Sequence, residues 1–263
     1  MKVEVSDDTV AAPVRTRVDF YSPLPLTGDA TDRDRATITR RTSVYVYEAP
    51  VRLWHWINAA AIMTLVVTGF LIGSPPPTME IGEATHQFLF GYIRFAHFAA
   101  AMIMTVGFFG RIYWAFVGNS HSRQMFLLPL HRKAWWAEVW REARWYLFLE
   151  SEPKKYVGHN PLAQIAMFFF MTVGLSFMIV TGFALYAEGL GQGSWADAIF
   201  GPLLAFVGNS MVLHQLHHLG MWFIVIFMMI HIYAAIREDI MSRQSMVSTM
   251  ISGTRTFKDD RPD

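Results

Sequence analysis

The stretch HQLHHLGMWFIVIFMMIHIYAAIRED, residues 214–239, decides the fold. It is an apolar run that carries His217 and His231, fourteen residues apart. At about 100° per residue, fourteen steps fall ~40° short of four full turns, so both imidazoles leave the same side of one helix. At 1.5 Å rise per residue they stand about 21 Å apart along its axis. That is a large part of the ~30 Å hydrocarbon core of a bilayer. Two polar rings on one face, one near each side of a membrane, imply two cofactors stacked across it.

The rest of the chain supplies a membrane for that helix. Of its 263 residues 53% are hydrophobic and 16% charged, where soluble domains carry about 25% charge. Four apolar segments are long enough to cross a bilayer: 53–72, 92–117, 163–186 and 211–236. The first stops at Gly73 and the run Pro75–Pro77, and Ser210 is the expected N-cap of the last. The expected architecture is an all-α integral membrane protein, a four-transmembrane-helix di-haem bundle over residues 44–250 with a cytoplasmic interfacial helix. Residues 1–43 are polar, lack the apolar core of a signal peptide and read as a disordered tail; residues 251–263 read as a polar C-terminal tail.

Lys and Arg set the expected orientation. None falls between Leu53 and Ile93, and none between Lys155 and Arg237. The loop after the second span, 118–162, is rich in them, and Arg111 is read with that basic group. The positive-inside rule then puts both termini and this loop in the cytoplasm. Within the loop, KAWWAEVWREARWYLFLE (133–150) interleaves Trp135, Trp136, Trp140 and Trp145 with charges, as a helix lying in the headgroup region does; packing on the ends of the bundle is compatible with that.

Ionisable groups inside a membrane are costly and usually functional. Depth sorts four histidines into two pairs. His97 (YIRFAHFAA) faces His217 at the outer level, and His55 (RLWHWINA) faces His231 at the inner level. Each pair can give one haem iron two axial nitrogens, an arrangement suited to electron transfer. The chain has no cysteine, which excludes disulfides, thiolate-held iron–sulfur clusters and thioether-linked haem. His214 and His218 share the face of His231 less well than His217 does and read as structural or interfacial. His86, beside Glu83, reads as interfacial; His121, His131 and His159 fall in the polar loop and read as solvated. Arg52 and Arg94 each precede a paired histidine by three residues and are candidate partners for a haem propionate at their levels; Arg52 equally fits a positive-inside anchor, whereas Arg94 runs against the charge rule. Gly69, Gly107, Gly174, Gly182 and Gly220 permit close helix approach and equally leave room for a flat macrocycle.

The motifs YVYEAPVRLWHWINA, GYIRFAHF, RIYWAFVGN, RWYLFLE, GHNPLAQIAMF, TGFALY and LHHLGMWFIVIFMMIHIY closely resemble the b-type cytochrome subunit of membrane-bound [NiFe] hydrogenases, across about residues 44–255. The resemblance implies two non-covalent haem b groups and a bacterial cytoplasmic membrane. It implies as partners an iron–sulfur hydrogenase small subunit with its anchor helix, through it the large [NiFe] subunit, then quinone as electron acceptor and membrane lipid. Carried onto these positions, it assigns His97 and His217 to the haem nearer the hydrogenase and His55 and His231 to the other. Nothing in the charge pattern points to nucleic acid. The RLWHW region with Tyr45 and Tyr47, and the Arg237, Glu238, Asp239 cluster, are weak quinone-site candidates; termination of the last helix equally explains those charges. Rival readings are the cytochrome b of a respiratory formate dehydrogenase, a haem-free anchor, and a proton-relay transporter. The spans show no internal repeat and no broken helix, which counts against the transporter.

Overall fold

The computed structural model describes residues 42–76, 88–151 and 153–257. The tail up to residue 41 and His86 lie outside them. The first span is helix α1 (Ala49–Gly73), with Pro50 at its start, where the missing N–H costs nothing. The second is α2 (Leu89–Val117), ending at Gly118. A short α3 (Lys133–Tyr146) follows. The third span, Pro161–Leu190, consists of α4 (Pro161–Met167), a π-helical segment (Phe168–Gly174) and α5 (Leu175–Leu190). Next come α6 (Trp195–Val207), the fourth span α7 (Ser210–Met241) and α8 (Met246–Ser252). The spans of 25, 29, 30 and 32 residues all exceed the ~20 that a bilayer requires. The chain is a multi-pass membrane protein.

Several boundaries depart from the sequence reading. The N-cap of α7 is Asn209, whose Oδ1 accepts from Met211 N at 2.8 Å, so Ser210 is already inside the helix. Its hydroxyl instead donates to Glu188 at 2.9 Å. The connection between the third and fourth spans is not a plain loop. Ser194 caps α6 by accepting from Asp197 N at 3.2 Å, and Gly208 closes it at φ 78, the left-handed region glycine favours. With 13 residues, α6 is too short to cross. The expected tails also lose residues to structure. Strand β1 (Thr42–Tyr45) pairs antiparallel with β2 (Thr254–Phe257), Thr42 opposite Phe257 and Tyr45 opposite Thr254. Short isolated runs of this kind carry little periodicity and become strands only by meeting each other.

Packing differs from that of a soluble protein on its outer surface, which is as apolar as the core. Met104, Phe108, Met171, Leu175, Ile224 and Phe227 are buried between the spans. Phe95, Val106, Phe116 and Ile240 stay largely exposed on the outside, where lipid is the solvent. At the sheet end, Glu48 Oε2 accepts from Trp114 Nε1 at 2.9 Å and Asn119 N at 3.0 Å, joining the start of α1 to the end of α2. Buried Arg255 donates to the Tyr156 and Gly158 carbonyls at 2.6 and 2.8 Å and fastens β2 to the loop before α4. Helix α3 buries Trp135, Glu142 and Trp145 and exposes Trp136 and Trp140, the asymmetry of an interfacial helix.

Candidate functional site

At the inner level the rings of His55 on α1 and His231 on α7 face each other with centroids 6.3 Å apart. Two metal–imidazole bonds of about 2.0 Å, plus about 1 Å from each nitrogen to its ring centre, give about 6 Å, so a single iron fits between these rings. His55 Nδ1 is buried with no hydrogen-bond partner among the described residues. His55 meets Trp56 edge-on at 5.0 Å, and Phe227 stacks on His231 at 5.5 Å and 22°.

At the outer level His97 from α2 and His217 from α7 line one cavity of about 740 Å³, mostly apolar in its walls. That volume lies in the usual range for cofactor sites, about 300–1,000 Å³. Each ring is held from behind. Thr68 Oγ1 lies 2.9 Å from His97 Nδ1, and Thr181 Oγ1 lies 2.8 Å from His217 Nδ1. The glycine after each threonine makes room for the imidazole: a Cβ at Gly69 would stand 3.2 Å from His97 Cε1, and one at Gly182 3.2 Å from His217 Cε1. The outer cavity therefore has the room and the imidazoles for a flat macrocycle, and the inner pair has the spacing for a shared iron.

The other sequence candidates fall as follows. Arg94 lines the outer cavity with His97, its guanidinium 5.9 Å from the centre of the Phe98 ring. Arg52 donates through Nη1 to the Ile251 carbonyl and so ties α1 to α8. His214 and His218 also border the outer cavity; His214 Nδ1 donates to the Ser210 carbonyl at 3.0 Å, and His218 packs against Gly73. His159 is not solvated. The Tyr47 hydroxyl lies 3.1 Å from its Nδ1, and its imidazole is held down at about 3, first by burial and then by the Arg255 charge. His131 is exposed as expected. The weak quinone candidates brace the fold: Glu238 accepts from Trp145 Nε1 at 2.8 Å, and Asp239 accepts from Val247 N at 3.1 Å. Arg237 lies 4.7–4.9 Å from the rings of Trp145, Tyr146 and Phe148. Tyr45 is exposed on the sheet.

Two features escaped the sequence reading. Arg111 belongs to α2, not to the loop, and is 4% exposed. Its Nη2 donates to the Ser122 carbonyl at 2.7 Å, while Nε and Nη1 have no hydrogen-bond partner among the described residues and the guanidinium lies over the Trp54 and Phe126 rings. A lone arginine inside GFFGRIYWAF was the available signal. The threonine–glycine pairs were signalled too: VTGF occurs at 67–70 and again at 180–183. That is a short internal repeat where none was expected, and the π-helical segment likewise interrupts a span expected to be regular.

A four-span membrane bundle with His55 against His231 and with His97 and His217 on one cavity points to a class, the membrane b-type cytochromes. Residues 46–253 match the family model described as prokaryotic cytochrome b561, and the chain belongs to that family. It is 66% identical to a probable Ni/Fe-hydrogenase B-type cytochrome subunit of Rhodobacter capsulatus, over 98% of both chains. It is 62% identical to the protein of that name in Azotobacter vinelandii, over 90% of this chain and 97% of the relative. It is 50% identical to the probable Ni/Fe-hydrogenase 1 B-type cytochrome subunit of Escherichia coli K12, over 82% and 92%. A b-type cytochrome carries haem b.

Proposed function

We propose that this chain anchors a [NiFe] hydrogenase on the outer face of the bacterial cytoplasmic membrane and passes its electrons to quinone. The observation that carries the reading is the 6.3 Å opposition of His55 and His231; about four helical turns away on α7, His217 shares one cavity with His97. The names of the relatives support the partner. The lysine and arginine distribution supports an orientation with both termini and the 118–162 loop in the cytoplasm.

Haem b, when bound, supplies a one-electron ferric–ferrous couple. The chain holds one such group with His97 and His217 and the other with His55 and His231. Arg94, at the rim of the outer cavity, is placed to neutralise a propionate. The apolar walls exclude water and lower the local dielectric, which favours the less charged state of whatever is bound. Thiolate ligands for nickel are absent, so hydrogen activation belongs to the partner, whose small subunit delivers electrons at the outer level. Quinone accepts them on the inner side.

The test is haem content. The purified chain gives a reduced b-type spectrum with two haems per chain, and His97→Ala or His217→Ala removes one of them. A colourless protein, or full haem in both variants, refutes the reading.

A further inference from the structure

The two histidine pairs differ in what stands behind them. Thr68 Oγ1 lies 2.6 Å from the Thr64 carbonyl, and Thr181 Oγ1 lies 2.7 Å from the Phe177 carbonyl. A carbonyl only accepts, so each hydroxyl spends its one proton there. Toward His97 and His217 each threonine oxygen then accepts, and both imidazoles must donate from Nδ1–H. That fixes the tautomer: Nε2 is bare and available to iron on both rings. The adjacent glycines let the rings sit this close to α1 and α5. At the inner level, His55 Nδ1 is buried without a partner among the described residues, and His231 is steadied by its stack on Phe227.

A hydrogen bond donated from the far nitrogen makes an imidazole a more basic ligand. A more basic ligand stabilises ferric over ferrous iron and lowers the reduction potential. We propose that Thr68 and Thr181 set the order of the two potentials, holding the outer haem below the inner one. The inference rests on the di-haem reading above. One electron then moves downhill from outer ferrous to inner ferric iron, leaving outer ferric and inner ferrous. No proton moves with it, because each Nδ1–H stays on its nitrogen. The reductant is the iron–sulfur partner and the final oxidant a quinone.

The measurement is a spectroelectrochemical titration of the full chain in detergent, with haem content determined separately. His55→Ala leaves the outer haem alone and identifies its midpoint, which is the lower of the two in the wild type. Thr68→Val and Thr181→Val, isosteric and without the acceptor, each raise that midpoint. The expected change is three- to tenfold in the ferric–ferrous ratio, about 30–60 mV at 59 mV per tenfold for one electron. Thr68→Ser and Thr181→Ser restore it, which a packing role alone does not explain. If the wild-type outer haem has the higher midpoint, or if the valine variants keep both haems and do not shift, the inference is overturned. A wild type without two haems overturns the di-haem reading instead.

Discussion

Gly182→Ala isolates the outer site from the stability of the bundle. The new Cβ would stand 3.2 Å from His217 Cε1, whereas carbon–carbon contacts are comfortable at about 3.5–4.0 Å. The ring must retreat by about 0.3 Å or more, and Cε1 is bonded to Nε2, the nitrogen that would face the iron in the proposed site. Metal–ligand distances tolerate only about 0.2 Å, so iron affinity falls by about 10–100-fold, the range for lost support around a ligand. Helix propensity moves the other way, since alanine is better than glycine by about 0.8–1.0 kcal/mol. Gly189 is the control: a Cβ there meets nothing within 4 Å, so Gly189→Ala has the same backbone benefit and no ring contact. The assay is haem per chain after purification, together with the rate of haem loss to excess apomyoglobin. Gly182→Ala, and Gly69→Ala through His97, lose the outer haem faster than Gly189→Ala while melting no lower. Equal retention in all three refutes the cradle.

Two titratable groups outside the spans, one buried and one half-buried, give opposite pH signatures. Glu142, 2% exposed, is pushed up to about 7 by burial and then by the Glu238 charge. The folded state keeps a proton that the unfolded chain loses above about 4.5, so stability is full below that pH and declines as pH rises through 7. Glu142→Gln removes the slope and gains about 1–2 kcal/mol over wild type at pH 8, after discounting for solvent screening, read from melting in detergent at pH 5 and 8. His159 is held neutral down to about 3. Its contribution is intact above 6.5 and falls as pH drops from there toward 3, because the unfolded chain takes the proton first. His159→Gln flattens that decline while costing about 1 kcal/mol at neutral pH for the Tyr47 contact. A decline as steep as wild type refutes the assignment.

The fold was legible where residues repeat at the helical period over long distances. The runs around His55, His97 and His217–His231 had the length of a span, and length alone calls for a membrane helix. What stayed hidden depends on tertiary meetings. Strand β1 has four residues and no partner until the chain returns at Thr254. His159 sits in a polar sequence yet is half-buried, because Arg255 pins its loop by the carbonyl of the preceding Gly158. Arg52 and Arg94 are spaced identically from their histidines, yet they meet different neighbours: Arg52 donates to the Ile251 carbonyl and Arg94 borders the outer cavity. Local spacing proposes partners; the neighbouring element selects among them.

The π-helical segment gains a purpose from the fourteen-residue gap in α7. Covalent helix geometry holds His217 and His231 at a fixed separation of about 21 Å, whatever the tilt of the surrounding spans. The space between them must be filled, since unfilled apolar volume costs stability. Phe223 and Phe227 stand one turn apart on α7 inside that interval, and Phe170 lies against both, at 4.3 Å and 22° from one and 4.7 Å and 19° from the other. A regular α-helix advances its side chains by a fixed step; one wider turn shifts that register locally. Phe170 lies within the wider stretch, Phe168–Gly174, so the irregularity delivers a ring where α7 leaves a slot. Phe227 then passes the constraint to His231 through its own stack. His97 and His217 are therefore positioned by hydroxyls from α1 and α5, whereas His231 on α7 is positioned by stacked rings.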